Sequence, residues 1–205
     1  MGFCLRFAET SKHLFDRIDS GTIDEPIYAF SMRGGWGIPD AGNWRLDPEH
    51  ACGVTIESAP HNVDLLRRMC GEIEDATGHT RNVTEPSLEN FDDNMVGTVS
   101  FDDGTIGLVQ NTWTANHAYL RHGVFRTAGA VVLEGDTWWR HDRLIAARQD
   151  ENHIRMIEFG PDTASDMGYA AETGVFLTAL ANSDTSPVTV ADGCRAVEIS
   201  HALLG

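Results

Sequence analysis

The chain has 205 residues, and its 31 Asp and Glu against 15 Lys and Arg give a formal net charge of −16 at pH 7. This charge argues against a nucleic-acid partner or an anionic membrane surface, because binding phosphates depends on clustered Lys and Arg that are absent here. At 41% hydrophobic and 22% charged residues, the composition is typical of a globular domain.

The charged residues also indicate an environment. Lys12 is the one lysine, and the remaining cationic residues are arginines. An acidic surface with so few lysines keeps a protein dispersed where salt screens its self-repulsion, which predicts a halophilic host. The four cysteines form no C-x-x-C pair, so we expect reduced thiols in a cytoplasmic protein.

Hydrophobic periodicity and turn residues predict the elements in the first third of the chain. The glycine-rich loop among them carries two tryptophans, and a long ordered loop with aromatic anchors is more often functional than incidental. The predicted elements are a strand end over 2–7, a helix over 9–18, a strand over 26–32, this loop over 33–48 and a helix over 53–70.

The middle of the chain reads as strands separated by turn signals such as Asp103-Gly104. These connections are too short for helical crossovers, so the sheet should be antiparallel or largely so. The predicted strands are 73–83, 94–101, 105–113, 120–127, 130–134, 137–141, 143–148 and 153–159, and helices over 166–181 and 191–204 follow.

These elements predict one α+β domain over 1–205, a large, mainly antiparallel sheet with helices packed on one face. The other face of such a sheet would expose more apolar area than a monomer usually tolerates, which predicts a dimer formed through it. In the predicted strand 137–141, one ring of Trp138-Trp139 would face the core and the other the opposite face, a pattern that favours an interface over a sugar-stacking platform.

The densest group of chemically competent residues is Glu57-x-x-x-His61-x-x-Asp64. On a helical wheel the three fall within about 60° of one another. A histidine beside carboxylates is suited to proton transfer, because a carboxylate orients the ring and stabilises its protonated form. Because of Pro60, the helix either begins there with Ser58 or Ala59 as its cap, or runs from 53 with a kink that keeps Glu57 on the wheel.

The same residues allow two other interpretations. In a structural one, His61 and Asp64 satisfy groups at a helix N-terminus and Glu57 is solvated. In the other, His50 joins them as a ligand of zinc or a similar ion, as in a metal-dependent hydrolase.

A dinucleotide-binding motif is missing from this sequence. The nearest approach to G-x-G-x-x-G is Gly35-x-Gly37, with Asp40 where the third glycine would stand.

From 2 to 204 the chain resembles the C-terminal domain of the glucose-fructose oxidoreductase and inositol dehydrogenase family, often labelled Gfo/Idh/MocA. The resemblance is carried, in order, by GFCLRF, NWRLDP, CGVTIESAPHNVDLLRRMCG, FDDGTIGLVQNTW and TSPVTVADGCRAVEISHALL. It implies an N-terminal Rossmann domain, absent from this sequence, that binds NAD or NADP. It also implies that the present domain supplies substrate contacts, catalytic groups and the oligomer interface.

By this resemblance His61 is the general acid/base, Glu57 stands where an aspartate is usual, and Asp64 completes the motif. Two departures from the family pattern are Cys52-Gly53, in place of a glycine pair, and Pro60. Arg45 and Trp44, just before the helix, are candidate substrate contacts. Their structural alternatives are a loop-anchoring ion pair for Arg45 and a lid over the core for Trp44.

The resulting prediction is the substrate-binding and catalytic-helix domain of an NAD(P)-dependent dehydrogenase acting on a sugar, polyol or inositol-like substrate. No turnover is expected of this domain alone. The alternative is a non-catalytic sugar-binding or oligomerisation module.

Overall fold

The computed structural model describes residues 2–163 and 166–205. The helices are α1 (Glu9–Asp19), α2 (Val54–Glu57), α3 (Ala59–Cys70), α4 (Tyr169–Asn182) and α5 (Val190–Ala202), with short 3-10 helices at Cys4–Phe7 and Trp44–Leu46. The strands are β1 (Pro26–Trp36), β2 (Ile73–Arg81), β3 (Asn94–Phe101), β4 (Ile106–Thr112), β5 (Thr114–Arg126), β6 (Gly129–Gly135), β7 (Arg143–Arg148) and β8 (Ile154–Glu158).

All eight strands belong to one sheet, in the order β2-β3-β4-β1-β5-β6-β7-β8. Every neighbouring pair is antiparallel except β1 with β4, which is parallel. The exception arises because β1 inserts between β4 and β5, two strands that follow each other in the chain with Trp113 between them. The predicted α+β class with a mainly antiparallel sheet is confirmed.

Helices α1, α3 and α5 form the layer that covers one face of the sheet. Helix α3 lies on β1 and β4, α1 on β6 and β7, and α5 on β2 and on α3. Leu14, Leu66, Val109 and Leu133 are buried between helices and sheet, and each such side chain stabilises the fold by roughly 1.5–3 kcal/mol. This face of the sheet therefore holds the core.

The contact between α5 and β2 depends on a glycine. A Cβ at Gly78 would lie 2.0 Å from the carbonyl oxygen of Leu203, just beyond the end of α5. Only a residue without a side chain allows the two backbones to approach this closely.

The opposite face of the sheet is apolar and uncovered. The rings of Tyr28, Phe30 and Phe125 form a cluster with centroids 6.0–6.2 Å apart. Ile106 and Met156 on other strands are also exposed. The predicted bare apolar face is therefore present.

No helix in the described ranges, 2–163 and 166–205, is both long and apolar enough to cross a membrane.

Two predicted strands are wrong. The segment 2–7 contains a 3-10 helix, because Phe3 adopts a left-handed conformation that turns the chain and buries Cys4 and Leu5. The segment 137–141 is the loop of a hairpin, because Glu134 pairs directly with Arg143 and leaves the residues between them out of the ladder.

The boundaries of several other elements also differ from the prediction. Strand β5 begins at Thr114 rather than at 120, because its first residue pairs with the end of β1. Strand β1 runs on to Trp36, into the predicted loop, because its end pairs with Thr114 of β5. The predicted helix over 53–70 is two helices, α2 and α3, separated at Ser58.

Candidate functional site

The start of α2 is fixed by the loop before β3. Val54 donates its N–H to the carbonyl oxygen of Asp92 at 2.7 Å, and the Thr55 hydroxyl donates to the Asp92 carboxylate at 2.6 Å. Ser58 then occupies the C-cap position of α2 and the N-cap position of α3, without a capping hydrogen bond from its side chain, and Pro60 lies in the first turn of α3, where its missing N–H is not needed. The structure thus matches the first predicted option, a helix that follows a cap position at Ser58, and a separate helical turn, α2, precedes it.

Glu57, the last residue of α2, is bound to the loop that precedes it. Arg45 donates to both carboxylate oxygens of Glu57, with its Nε 2.6 Å from Oε2. The Arg45 guanidinium also lies over the ring of Trp44, 5.0 Å from the ring centroid. This is the loop-anchoring ion pair given above as the alternative for Arg45, whereas Trp44 is exposed and does not cover the core.

Asp64 is bound at the other side of α3. Its buried carboxylate accepts two hydrogen bonds from Arg6, with Nε 3.1 Å from Oδ2. Burial raises the pKa of Asp64 to about 6, and the Arg6 guanidinium opposes this rise. Asp64 therefore attaches the N-terminal 3-10 helix to α3.

His61 is largely buried on α3. The edge of its ring meets Phe3, with centroids 5.9 Å apart. Burial, together with the positive charge of Arg33, lowers the pKa of His61 to about 4, so the imidazole is neutral at pH 7. A neutral imidazole has one ring nitrogen free to accept a proton.

The expectation that Glu57 or Asp64 orients the His61 ring is not met. In the described part of the chain the hydrogen bonds of Glu57 go to Arg45, and those of Asp64 go to Arg6. The break at Ser58 takes Glu57 off the wheel of α3, which is the physical reason for the difference. The three residues share one stretch of helix without forming a hydrogen-bonded triad.

A cleft of about 200 Å³ opens where the C-terminal ends of β1 and β4 meet the α2–α3 joint. Glu57 and Arg45 line it, whereas the predicted site residues His61 and Trp44 are not among its lining residues. His61 lies one helical turn along α3 from the lining Ser58. The other polar side chains that line the cleft are Arg33, Asn111 and Thr112, and the aromatic ones are Trp36, Trp113 and Trp138.

Arg33 and Asn111 were not predicted as site residues. Asn111 is 1% exposed, and in the described structure neither its Oδ1 nor its Nδ2 has a hydrogen-bond partner. The Arg33 guanidinium lies over Trp138, 4.8 Å from the ring centroid. The alternation of the strands could have indicated both residues. Arg33 and Asn111 follow Ser31 and Val109 by two residues, and these two side chains are buried on the helix-covered face of the sheet.

The metal interpretation requires His50 beside α3. His50 instead contacts Asp47 at 3.3 Å, and both side chains are exposed on the segment between β1 and α2. Within residues 2–163 and 166–205, no three His, Cys, Asp or Glu side chains come together in an arrangement that could hold an ion.

Solved structures share this fold at low sequence identity. Levoglucosan dehydrogenase in complex with NADH and levoglucosan superposes with a TM-score of 0.82 at 20% identity, over 98% of this chain and 61% of that one. The aldose-aldose oxidoreductase from Caulobacter crescentus complexed with glycerol superposes with a TM-score of 0.80 at 16% identity, over 98% of this chain and 58% of that one.

Sequence comparison adds a curated relative and a family. The 1,5-anhydro-D-fructose reductase of Ensifer adhaerens is 26% identical over 129 residues, 62% of this chain but 39% of the reductase. The chain thus spans well under two thirds of the length of the proteins it matches. The model of the GFO/IDH/MocA C-terminal domain matches residues 12–132. Because that match covers more than half of the chain, the protein belongs to the GFO/IDH/MocA C-terminal domain family.

Proposed function

We propose that this chain is the substrate-binding and catalytic-helix domain of an NAD(P)-dependent oxidoreductase acting on a sugar, a polyol or an inositol-like substrate. The observation that carries the proposal is the cleft, where three tryptophans surround Arg33, Asn111 and the α2–α3 joint. Apolar aromatic walls with a few convergent polar groups suit a polyhydroxylated ring. The relatives named for anhydrofructose reduction and levoglucosan dehydrogenation support this substrate class.

The cofactor would be held outside these 205 residues. Two observations support this assignment: the sequence has no glycine-rich G-x-G-x-x-G turn, and the sheet of the described residues is mainly antiparallel, unlike the parallel sheet of a Rossmann fold. NAD or NADP bound by an N-terminal Rossmann domain would supply the hydride acceptor. The isolated chain is therefore expected to be inactive.

His61 is the residue we assign to proton transfer. As a neutral, largely buried imidazole, it accepts the proton of a substrate hydroxyl when hydride leaves the same carbon. Burial disfavours the resulting imidazolium, so the proton is released again readily. Glu57 and Asp64 are positioning residues, which hold the segment between β1 and α2 and the N-terminal 3-10 helix against the helix that carries His61.

The test is turnover of the whole encoded protein, including any residues that precede Gly2, with NAD⁺ or NADP⁺ and a panel of sugars, polyols and inositols. His61→Ala should lower the rate roughly 100- to 10,000-fold, the contribution expected of general acid/base catalysis. His79→Ala is the matched control, because His79 is exposed on β2, away from the cleft. Unchanged turnover in His61→Ala would remove His61 from the mechanism.

One observation favours the second candidate, a non-catalytic sugar-binding module. His61 receives no hydrogen bond from Glu57 or Asp64 among the described contacts, although a catalytic histidine is usually oriented by such a partner. The two candidates predict different coding sequence upstream of Gly2. A strand, a G-x-G-x-x-G turn and a helix encoded there support the oxidoreductase, whereas a stop codon or unrelated sequence supports the binding module.

We also infer that copies of the chain associate through the open sheet face in a salty cytoplasm. The support is the exposed apolar cluster around Phe125 and the net charge of −16. Salt should screen the repulsion between acidic copies, so association and melting temperature should both rise from low to molar salt. A monomeric mass by sedimentation at molar salt would contradict the dimer, and a flat melting temperature would contradict the salt adaptation.

A further inference from the structure

The polar groups at the base of the cleft indicate what kind of sugar it takes. Arg33 and Asn111 are register partners in the parallel pair β1–β4, and both lie on the helix-covered face. Their side chains therefore stand next to each other at the C-terminal ends of two central strands. Both line the cleft beneath the α2–α3 joint.

Arg33 differs from most arginines of this chain. Among the described residues, nine of the fourteen arginines form ion pairs with carboxylates. Arg33 forms none, although the chain has twice as many acidic as basic residues. Burial lowers the pKa of Arg33. The carboxylate whose charge opposes this shift is that of Glu57, which is already bound by Arg45. The cleft thus contains a positive charge that the described chain does not neutralise.

Asn111 provides the independent observation. A buried amide with neither oxygen nor nitrogen satisfied costs roughly 1–3 kcal/mol, so a folded protein keeps one where something else completes its hydrogen bonds. The amide offers one acceptor and two donor hydrogens toward the cleft. Beside a guanidinium fork, these donors match the two oxygens of a carboxylate and a neighbouring hydroxyl.

We propose that the substrate is a sugar acid, whose carboxylate is held by Arg33 and whose adjacent hydroxyl and carboxylate oxygen are held by Asn111. The proposal rests on the sugar-oxidoreductase function and names its substrate class. A single guanidinium, already stacked on Trp138, matches one carboxylate in charge and in planar geometry. A neutral sugar would leave the Arg33 charge desolvated without compensation, and a phosphate dianion would bring more charge than one arginine offsets.

Calorimetric titration of the whole encoded protein with D-glucuronate, D-glucose, D-glucose 6-phosphate and propionate tests the proposal. Glucuronate should bind at least about ten-fold more tightly than glucose, because a hydrogen-bonded ion pair forms only with the acid. Arg33→Gln should weaken glucuronate binding roughly 10- to 100-fold. Arg155→Gln, which removes the same charge from an exposed site on β8, should leave binding unchanged.

Stability gives a second measurement that separates ligand binding from a structural role. Arg33→Gln removes a desolvated charge without an ion-pair partner, so the melting temperature of the free chain should stay the same or rise. Asn111→Asp places a carboxylate beside Arg33, so it should raise the melting temperature and abolish glucuronate binding. A melting temperature that falls by several degrees in Arg33→Gln, with glucuronate binding unchanged, would show a structural arginine and overturn the proposal.

The ligand panel distinguishes failure of this inference from failure of the proposed function. Glucose binding as tightly as glucuronate, or glucose 6-phosphate binding more tightly, overturns the sugar-acid assignment and leaves the sugar function standing. Propionate binding as tightly as glucuronate supports a carboxylate site but contradicts the sugar function. Binding of neither glucose nor glucuronate overturns both.

Discussion

Helices α3 and α4 have similar lengths, 12 and 14 residues, but opposite surroundings. The side chain of Leu66 in α3 is 0% exposed, whereas that of Leu180 in α4 is 65% exposed. Yet α4 is the more apolar helix, since Glu172 is its one charged residue while α3 carries three. Apolar content therefore does not decide which helix enters the core of this chain.

The arrangement of the apolar residues explains the difference. In α3, the apolar side chains form one stripe against β1 and β4, with Arg67 and Arg68 away from it. In α4, apolar residues surround the axis, and the helix contacts chiefly the 3-10 helix at Cys4–Phe7. A helix that is hydrophobic on all sides is normally buried, which makes α4 an exception among the described helices.

The largest effect that sharpens this comparison is expected in α3. Leu66→Ala should lower the free energy of unfolding by about 2–5 kcal/mol, because the lost burial is accompanied by a cavity under the helix layer. Urea unfolding of the purified chain measures this loss. A change below 1 kcal/mol would mean that α3 is not the structural centre of the domain.

An intermediate effect is expected from pH, because the covered layer holds two buried histidines and α4 holds none. Burial lowers the pKa of His141 to about 3 and that of His122 well below 6.5, while their Nδ1 atoms contact Thr10 at 3.0 Å and Ser31 at 2.7 Å. The unfolded chain therefore binds more protons below pH 6.5. The contribution of His122 and His141 to the free energy of unfolding is fully present above pH 6.5 and is lost as pH falls from 6.5 toward 3.

The slope should reach about 1.4 kcal/mol per pH unit for each histidine. His61, whose pKa is lowered to about 4, adds to this loss as pH falls. Asp64 acts in the opposite direction, because its pKa is raised and its contribution is lost as pH rises through about 6. Urea unfolding at four pH values from 7.5 to 4.5 measures the combined effect of these groups on the free energy of unfolding. The exposed His79→Ala variant should give the same curve, and a stability that does not fall below pH 6.5 would show that the two buried histidines do not control it.

The smallest effect is expected in α4. Leu180→Ala should change the free energy of unfolding by less than about 0.5 kcal/mol, since its side chain is already in water. The same urea experiment as for Leu66 provides the matched measurement. A loss as large as that of Leu66→Ala would show that α4 is packed in solution and would remove the contrast between the helices.

Local signals predicted most of the sheet but not its assembly. Turns such as Asp103-Gly104 predicted short antiparallel connections, and these are present. The insertion of β1 could not be read in this way, because its partners lie far along the chain. The error at 137–141 has a related cause, since the aromatic pair Trp138-Trp139 favours a strand locally while the pairing of Glu134 with Arg143 closes the hairpin without it.

The candidate site shows the same division. Glu57, His61 and Asp64 were recognisable from their spacing, but their partners were not. Arg45 is 12 residues from Glu57 and Arg6 is 58 residues from Asp64, so tertiary contacts decide where each carboxylate points. No single-sequence pattern encodes such a pairing.

The inserted position of β1 also determines when the cleft can form during folding. Strand β1 ends at Trp36, and its first partner, β4, begins at Ile106, about 70 residues later. During synthesis, β1 must therefore wait without a strand partner until β4 and β5 have both emerged, which favours slow folding and gives chaperones a period in which to act. Arg33 and Asn111 come together only when β1 pairs with β4. A molecule bound in the cleft therefore stabilises only the completed fold, and not the partly folded states that precede it.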